Sequence, residues 1–121
     1  MAFHDMREFL AVLEQQGLLR RVGDEVEPEW EIGCMVKWMY QALPENKRFG
    51  LLFDRVAGSD MKMATGALGA STRAYATALG VEACEINAKW LDALRNPVAP
   101  HQVDSGPVQK VVSVGDGGEH A

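Results

Sequence analysis

The chain has 121 residues, a length that suits one domain, and its 47% hydrophobic and 24% charged content excludes a disordered or fibrous protein. A formal net charge of −5 argues against nucleic acid or anionic lipid as a partner, since each needs a basic face. No stretch approaches the ~20 consecutive apolar residues of a membrane span, and the start M-A-F-H-D-M-R-E-F-L lacks the charged-then-apolar order of a secretory leader, so the cytoplasm is the expected compartment.

The first element is a helix. Asp5 followed by Glu8 has capping-box spacing, Met6, Phe9, Leu10 and Leu13 recur on one face, and Gly17 supplies a left-handed stop. Leu18 to Val22 reads as a short strand, and G-D-E-V-E-P as the turn after it. Pro28 suits the first position of a second helix, with Glu27, Glu29 and Glu31 at the positive end of its dipole. That helix runs to about Leu43 and carries two apolar stripes, Ile32, Met35, Met39 and Leu43 beside Trp30, Cys34 and Trp38. One stripe is expected on the sheet. The other is expected under the carboxy-terminal segments or, in the sharper reading, with Trp38 and Met35 against another subunit, where Trp and Met are favoured.

Leu51, Phe53 and Val56 with Met61, Met63 and Thr65 suggest an antiparallel pair around A-G-S-D. Ser71 can cap a short helix, T-R-A-Y-A-T-A-L, that stops at Gly80. A last helix places Ile86, Trp90, Leu91 and Leu94 on one face and ends at Asn96–Pro97. Pro97 to Pro107 is an extended, proline-punctuated crossing segment, and Pro107 to Gly115 a strand with Val108, Val112 and Val114 on one face. A lone strand is unstable, so this one is expected to pair with the earlier sheet or with another chain. The fold class is therefore α+β, about four helices on a small mixed or antiparallel sheet, with residues 1–106 as the domain and 107–121 as terminal strand and tail.

Little in the chain points to chemistry. Cys34 and Cys84 have no metal or redox spacing and are expected to be buried free thiols. His4, His101 and His120 form no ligand pair, and no Ser is tied to a base by any motif. The loop T-G-A-L-G-A-S-T before a helix could admit an anion, but its spacing matches no phosphate motif, and the preceding strands look antiparallel. Gly66 and Gly69 are then turn residues. Arg20, Arg21, Arg48, Arg55, Arg73 and Arg95 read as single solvated cations. No catalytic, cofactor or metal residue is assigned, and Trp30, Met35, Trp38, Val112 and Val114 are the candidate partner interface.

In order and spacing, D-M-R-E-F-L-A-V-L-E-Q-Q-G-L-L-R-R-V, E-V-E-P-E-W-E-I-G, L-L-F-D-R-V-A-G, Y-A-T-A-L-G-V, W-L-D-A-L-R-N-P-V-A-P and S-G-P-V-Q-K-V-V-S-V-G-D resemble the amino-terminal domain of the UbiD-like (de)carboxylases. Trp30 departs from the smaller aliphatic residue usual there. The resemblance implies enzymes acting on aromatic or α,β-unsaturated carboxylic acids with a prenylated flavin (prenylated FMN), a divalent metal (manganese) and potassium. These lie in a downstream split-barrel domain with an arginine and two glutamates, beyond the region matched here. It implies an accessory or structural subunit that binds no cofactor itself and docks on a larger UbiD-like catalytic subunit in a hetero-oligomer, residues 107–121 pairing with that partner or with the missing barrel. Two alternatives stay open: a truncated piece of a single-chain decarboxylase, and a stand-alone small-ligand module using the Gly66–Ser71 loop.

Overall fold

A three-stranded mixed sheet with helices on both faces organises the computed structural model, which describes residues 3–110. The elements are α1 (Met6–Gln15), β1 (Leu19–Val26), α2 (Glu31–Ala42), β2 (Gly50–Val56), β3 (Met63–Thr65), α3 (Thr72–Leu79) and α4 (Ile86–Arg95). The expected α+β class and four helices are present.

Helix ends follow the local chemistry. The Asp5 carboxylate accepts the Glu8 N–H at 3.0 Å, whereas Glu8 reaches one residue further back than a capping box requires and takes the His4 N–H at 2.7 Å. At the other end the Gly17 N–H bonds the Glu14 carbonyl and the Leu18 N–H the Leu13 carbonyl, with Gly17 at φ 70°. This is a Schellman stop, and its two hydrophobic partners, Leu13 and Leu18, share one core cluster. Ser71 and Gly80 perform the same two roles for α3.

β2 is the central strand. It runs antiparallel to β3, with Leu51 opposite Thr65 and Phe53 opposite Met63, as the sequence pattern suggests. Its pairing with β1 is parallel, Leu19 opposite Gly50 through Val22 opposite Phe53, so β1–α2–β2 is a crossover unit. The sheet is therefore mixed, one of the two forms expected, and the pair directly before the glycine loop is antiparallel as expected. The strand also continues through Gly23–Asp24, read as a turn, because a bulge between Val22 and Glu25 restores the register and buries Val26. Pro28 lies in the turn that follows and not at the first position of α2.

Successive β2 side chains point to opposite faces. Leu51 and Phe53 pack with Ile32 and Met39 of α2, with Phe49 and with Ala70. Leu52 packs on the other face with Phe9 and Leu13 of α1, Leu18, Leu19 and Ala74 of α3. Phe53, Leu13 and Met39 are the largest fully buried side chains among the described residues. α4 has no buried residue, and Trp90, Leu91 and Leu94, expected as its packing face, are exposed. Residues 97–106 carry no regular element, and Pro107–Gln109 form a short 3-10 turn at the start of the expected last strand. The rest of that strand, Val112 and Val114 included, lies outside the described residues.

Candidate functional site

α2 presents Trp30, Cys34 and Trp38 roughly opposite the face that carries Ile32, Met39 and Leu43, since each residue advances about 100° around the axis. Trp30 is 74% exposed, Trp38 58%, and Met35, at the edge of the patch, 36%. Among the described residues nothing covers them, so the cover expected from the carboxy-terminal segments is not observed. Cys34 is exposed, as is Cys84, which corrects the expectation of two buried thiols. Two exposed indoles on one helix face make a patch of the kind that marks an interaction surface.

The amino-terminal end of this patch is acidic and tightly tied. Glu27 accepts the N–H groups of Glu29 at 2.8 Å and Trp30 at 2.9 Å, and Glu31 accepts the Glu27 N–H at 2.7 Å. The Trp30 carbonyl receives the Cys34 N–H at 2.8 Å. Two of the three carboxylates expected at the dipole's positive end, Glu27 and Glu31, thus fix the turn that carries Trp30, in place of a proline start.

The glycine loop leads to an open cleft of about 510 Å³ bordered by Glu45, Arg48, Ser71, Thr72 and Tyr75. An anion entering at the start of α3 would need its free N–H groups. Those are taken. The Ser71 hydroxyl accepts the Ala74 N–H at 3.2 Å, and the Glu45 carboxylate accepts the Thr72 N–H. The Thr72 backbone bond, with Arg48 nearby, holds the Glu45 carboxyl below the usual carboxylate range. Gly66 sits at φ 64°, while a Cβ at Gly69 would meet the Tyr40 hydroxyl at 3.3 Å, so one glycine serves the turn and the other makes room for a ring.

On the opposite face an apolar groove of about 810 Å³ runs between α1 and β3, floored by Phe9, Leu10, Leu52 and Ala64. A four-member charge network edges it. Arg21 grips Glu14 with two donors at 3.0 and 3.1 Å and reaches Asp54 at 2.9 Å, and Lys62 donates to the same Asp54 oxygen at 2.6 Å. Lys62 first, then Arg21, holds Asp54 below its ordinary pKa. Arg21 does the same for Glu14, and its own pKa is raised by both. The expectation of solitary arginines therefore fails at Arg21. It fails also at Arg20, 4.0 Å above the Phe49 ring, at Arg48, bonded to the Leu43 carbonyl, and at Arg55, paired with Glu25. The network was missed because Arg21 and Asp54 meet only through the parallel β1–β2 pairing.

Among the described residues no three His, Cys, Asp or Glu side chains gather as a metal set, and none of the helices is long and apolar enough to cross a membrane. Ser71, the one serine at the cleft, is committed to a cap.

The sequence profile of the 3-octaprenyl-4-hydroxybenzoate carboxy-lyase N-terminal domain matches residues 10–94. A phenolic acid decarboxylase of Streptomyces sp. (strain D7) is 34% identical over 124 residues, covering 96% of this chain and 25% of the relative. The vanillic acid decarboxylase of Sedimentibacter hydroxybenzoicus in closed form superposes with a TM-score of 0.69 at 31% identity, over 86% of this chain and 22% of that one. An evolved dimeric form of the UbiD-class enzyme HmfF from Pelotomaculum thermopropionicum, in complex with prFMN, gives 0.68 at 35% identity, over 80% and 21%. The chain thus spans about a quarter or less of these relatives.

Proposed function

The chain belongs to the family of 3-octaprenyl-4-hydroxybenzoate carboxy-lyase N-terminal domains, and from that premise we propose that it is a scaffold subunit of a prenylated-flavin-dependent (de)carboxylase. The assembly acts, in this reading, on aromatic or α,β-unsaturated carboxylic acids in the cytoplasm, and a larger UbiD-like chain supplies the reactive groups. One observation carries the reading: the Trp30 and Trp38 indoles stand exposed on one face of α2, a surface suited to contact with a further chain. The start of α3 does not suit the family's flavin. A flavin phosphate at the start of α3 would meet the Glu45 carboxylate, which already takes the Thr72 N–H, so no step through the flavin is assigned to this chain. The same carboxylate weighs against a stand-alone ligand module built on the Gly66–Ser71 loop. Trp30, Met35 and Trp38 are the proposed contact with another subunit, together with Val112 and Val114. Support for a multi-chain arrangement comes from the Sedimentibacter enzyme, solved also with its ShVdcD component truncated.

The relatives' greater length favours a second reading, in which this domain heads one longer polypeptide that also bears the flavin. Native mass analysis of the protein from its own cells separates the two. A flavin-containing complex that releases a separate 13.3 kDa chain on denaturation supports the first. One long flavin-bearing polypeptide supports the second, and a chain found with no flavoprotein partner overturns both.

A further inference from the structure

At about 810 Å³ the groove between α1 and β3 is larger than the cleft before α3, and it falls within the roughly 300–1,000 Å³ typical of small-molecule sites. Leu52 is buried at its floor, with Ala64 beside it in register on β3. Met6, Met61 and Leu68 rim it, and all three are exposed. Apart from Phe9, the apolar residues described along it are aliphatic, and unbranched methionines adapt to a flexible guest. Such walls suit an alkyl chain better than a flat ring system. From Met6 to Glu14 the α1 wall runs about 12 Å at 1.5 Å per residue.

One end is polar, and there donors outnumber acceptors. Arg21 has five N–H groups and gives three of them to Glu14 and Asp54, leaving two. The Lys62 ammonium has three and gives one to Asp54, again leaving two. Among the described residues that line the groove Glu14 is the one acid, and each of its oxygens already takes an Arg21 donor. Arg7, Arg21 and Lys62 less Glu14 and Asp54 give this end of a −5 chain a formal charge of +1. An amine head would be repelled there. A carboxylate would accept from both cations, and such charge-assisted bonds are about twice as strong as neutral ones. We propose that the groove binds a free medium-chain aliphatic carboxylate, its chain along α1 over Leu52 and its head at Arg21 and Lys62. The site lies apart from the exposed α2 face, and the scaffold reading neither supports nor requires it.

The test uses the full chain with decanoate, kept below the concentration at which it aggregates. Calorimetry is expected to show one site per chain, with amide shifts in NMR gathered on Leu10, Leu52 and Ala64. Decanol and decylamine, which keep the chain and change the head, are each expected to bind about tenfold more weakly or worse. Lys62→Ala leaves the Arg21 bonds to Glu14 and Asp54 in place. It is expected to weaken decanoate about tenfold and to leave decanol unchanged. Ala64→Phe puts a ring at an exposed strand position, where rings are well accepted, and is expected to abolish binding of both by filling the groove. Thermal melts separate loss of site from loss of fold, and should Ala64→Phe melt early, Lys62→Ala decides. No binding of decanoate, equal binding of decylamine, or binding indifferent to Lys62→Ala overturns the proposal. Binding to phosphatidylglycerol vesicles but not to free decanoate makes the groove a membrane contact and overturns it equally. Co-purification with a flavoprotein is scored separately: decanoate bound with no flavoprotein ever found keeps the site and loses the scaffold role, and the opposite pair of results does the reverse.

Discussion

The Glu45 carboxylate accepts the Thr72 backbone N–H across 27 residues of sequence, tying the turn after α2 to the first turn of α3. It is the protein's own anion at a helix start, and it closes the place where a ligand phosphate could sit. Because the folded carboxyl lies below its ordinary value, its contribution to stability is complete above that ordinary value and is lost as pH falls through the folded pKa. Glu45→Gln is therefore expected to lower the melting temperature at pH 7, with the two curves converging in acid. Thermal melts in a series descending from pH 7 into acid check this; a gap that never narrows along the series would remove the charge from the account.

Gly50 opens β2 where three segments meet. A Cβ there would lie 2.9 Å from both the Ala67 Cα and the Leu19 methyl. The first of these is backbone and cannot swing aside. Gly50→Ala is expected to cost about 1–3 kcal/mol through overpacking, whereas Gly23→Ala, with nothing within 4 Å, is expected to change stability by no more than about 0.5 kcal/mol. Urea titration of the two variants side by side checks the contrast. Equal effects would place the cause in strand propensity instead of the contact.

These residues show where local sequence is informative and where it is silent. Asp5, Gly17, Ser71 and Gly80 could be assigned from spacing because a cap is settled within five or six residues of chain. The β2–β3 pair was legible for the same reason. Gly23–Asp24 misled, because glycine and aspartate favour turns locally, yet β2 pairs beyond them and the bulge absorbs the misfit. Pro28 misled similarly, since carboxylates of Glu27 and Glu31 fix a turn there first. Hydrophobic periodicity placed Cys34 and Trp38 on a stripe without saying what covers it. The Arg21–Asp54 contact, 33 residues apart, follows only once the strand pairing is known.

Phe53 lies at the centre of the α2-side core with no exposed surface. Phe53→Ala is expected to cost about 3–5 kcal/mol, a large share of the roughly 5–15 kcal/mol that holds a domain folded. Trp38→Ala, on the exposed face of the same helix, is expected to stay within about 0.5 kcal/mol. Chemical denaturation of both variants measures the difference. A large loss at Trp38 would mean that its indole is covered within the monomer, and the assembly tests on that face would then need a different variant.

α4 is the least anchored helix. It has ten residues, none of them buried, and isolated helices below about 12–15 residues are marginal in water. Its specific tie is the Trp90 indole N–H, which donates to the Tyr75 hydroxyl of α3 at 3.1 Å. Ile86 adds a half-buried contact at the first turn. In hydrogen exchange α4 is accordingly expected to open well before β2, whose amides are held between two strands. Trp90→Phe keeps a ring but removes the donor, at a cost of about 1 kcal/mol. Trp90→Ala removes both and is expected to leave α4 amides nearly unprotected while β2 protection and the melting of the sheet core stay unchanged. If α4 amides in Trp90→Ala exchanged as slowly as those of β2, the helix would be held by contacts other than the indole. Its exposed Leu91 and Leu94 would then be the residues to vary next.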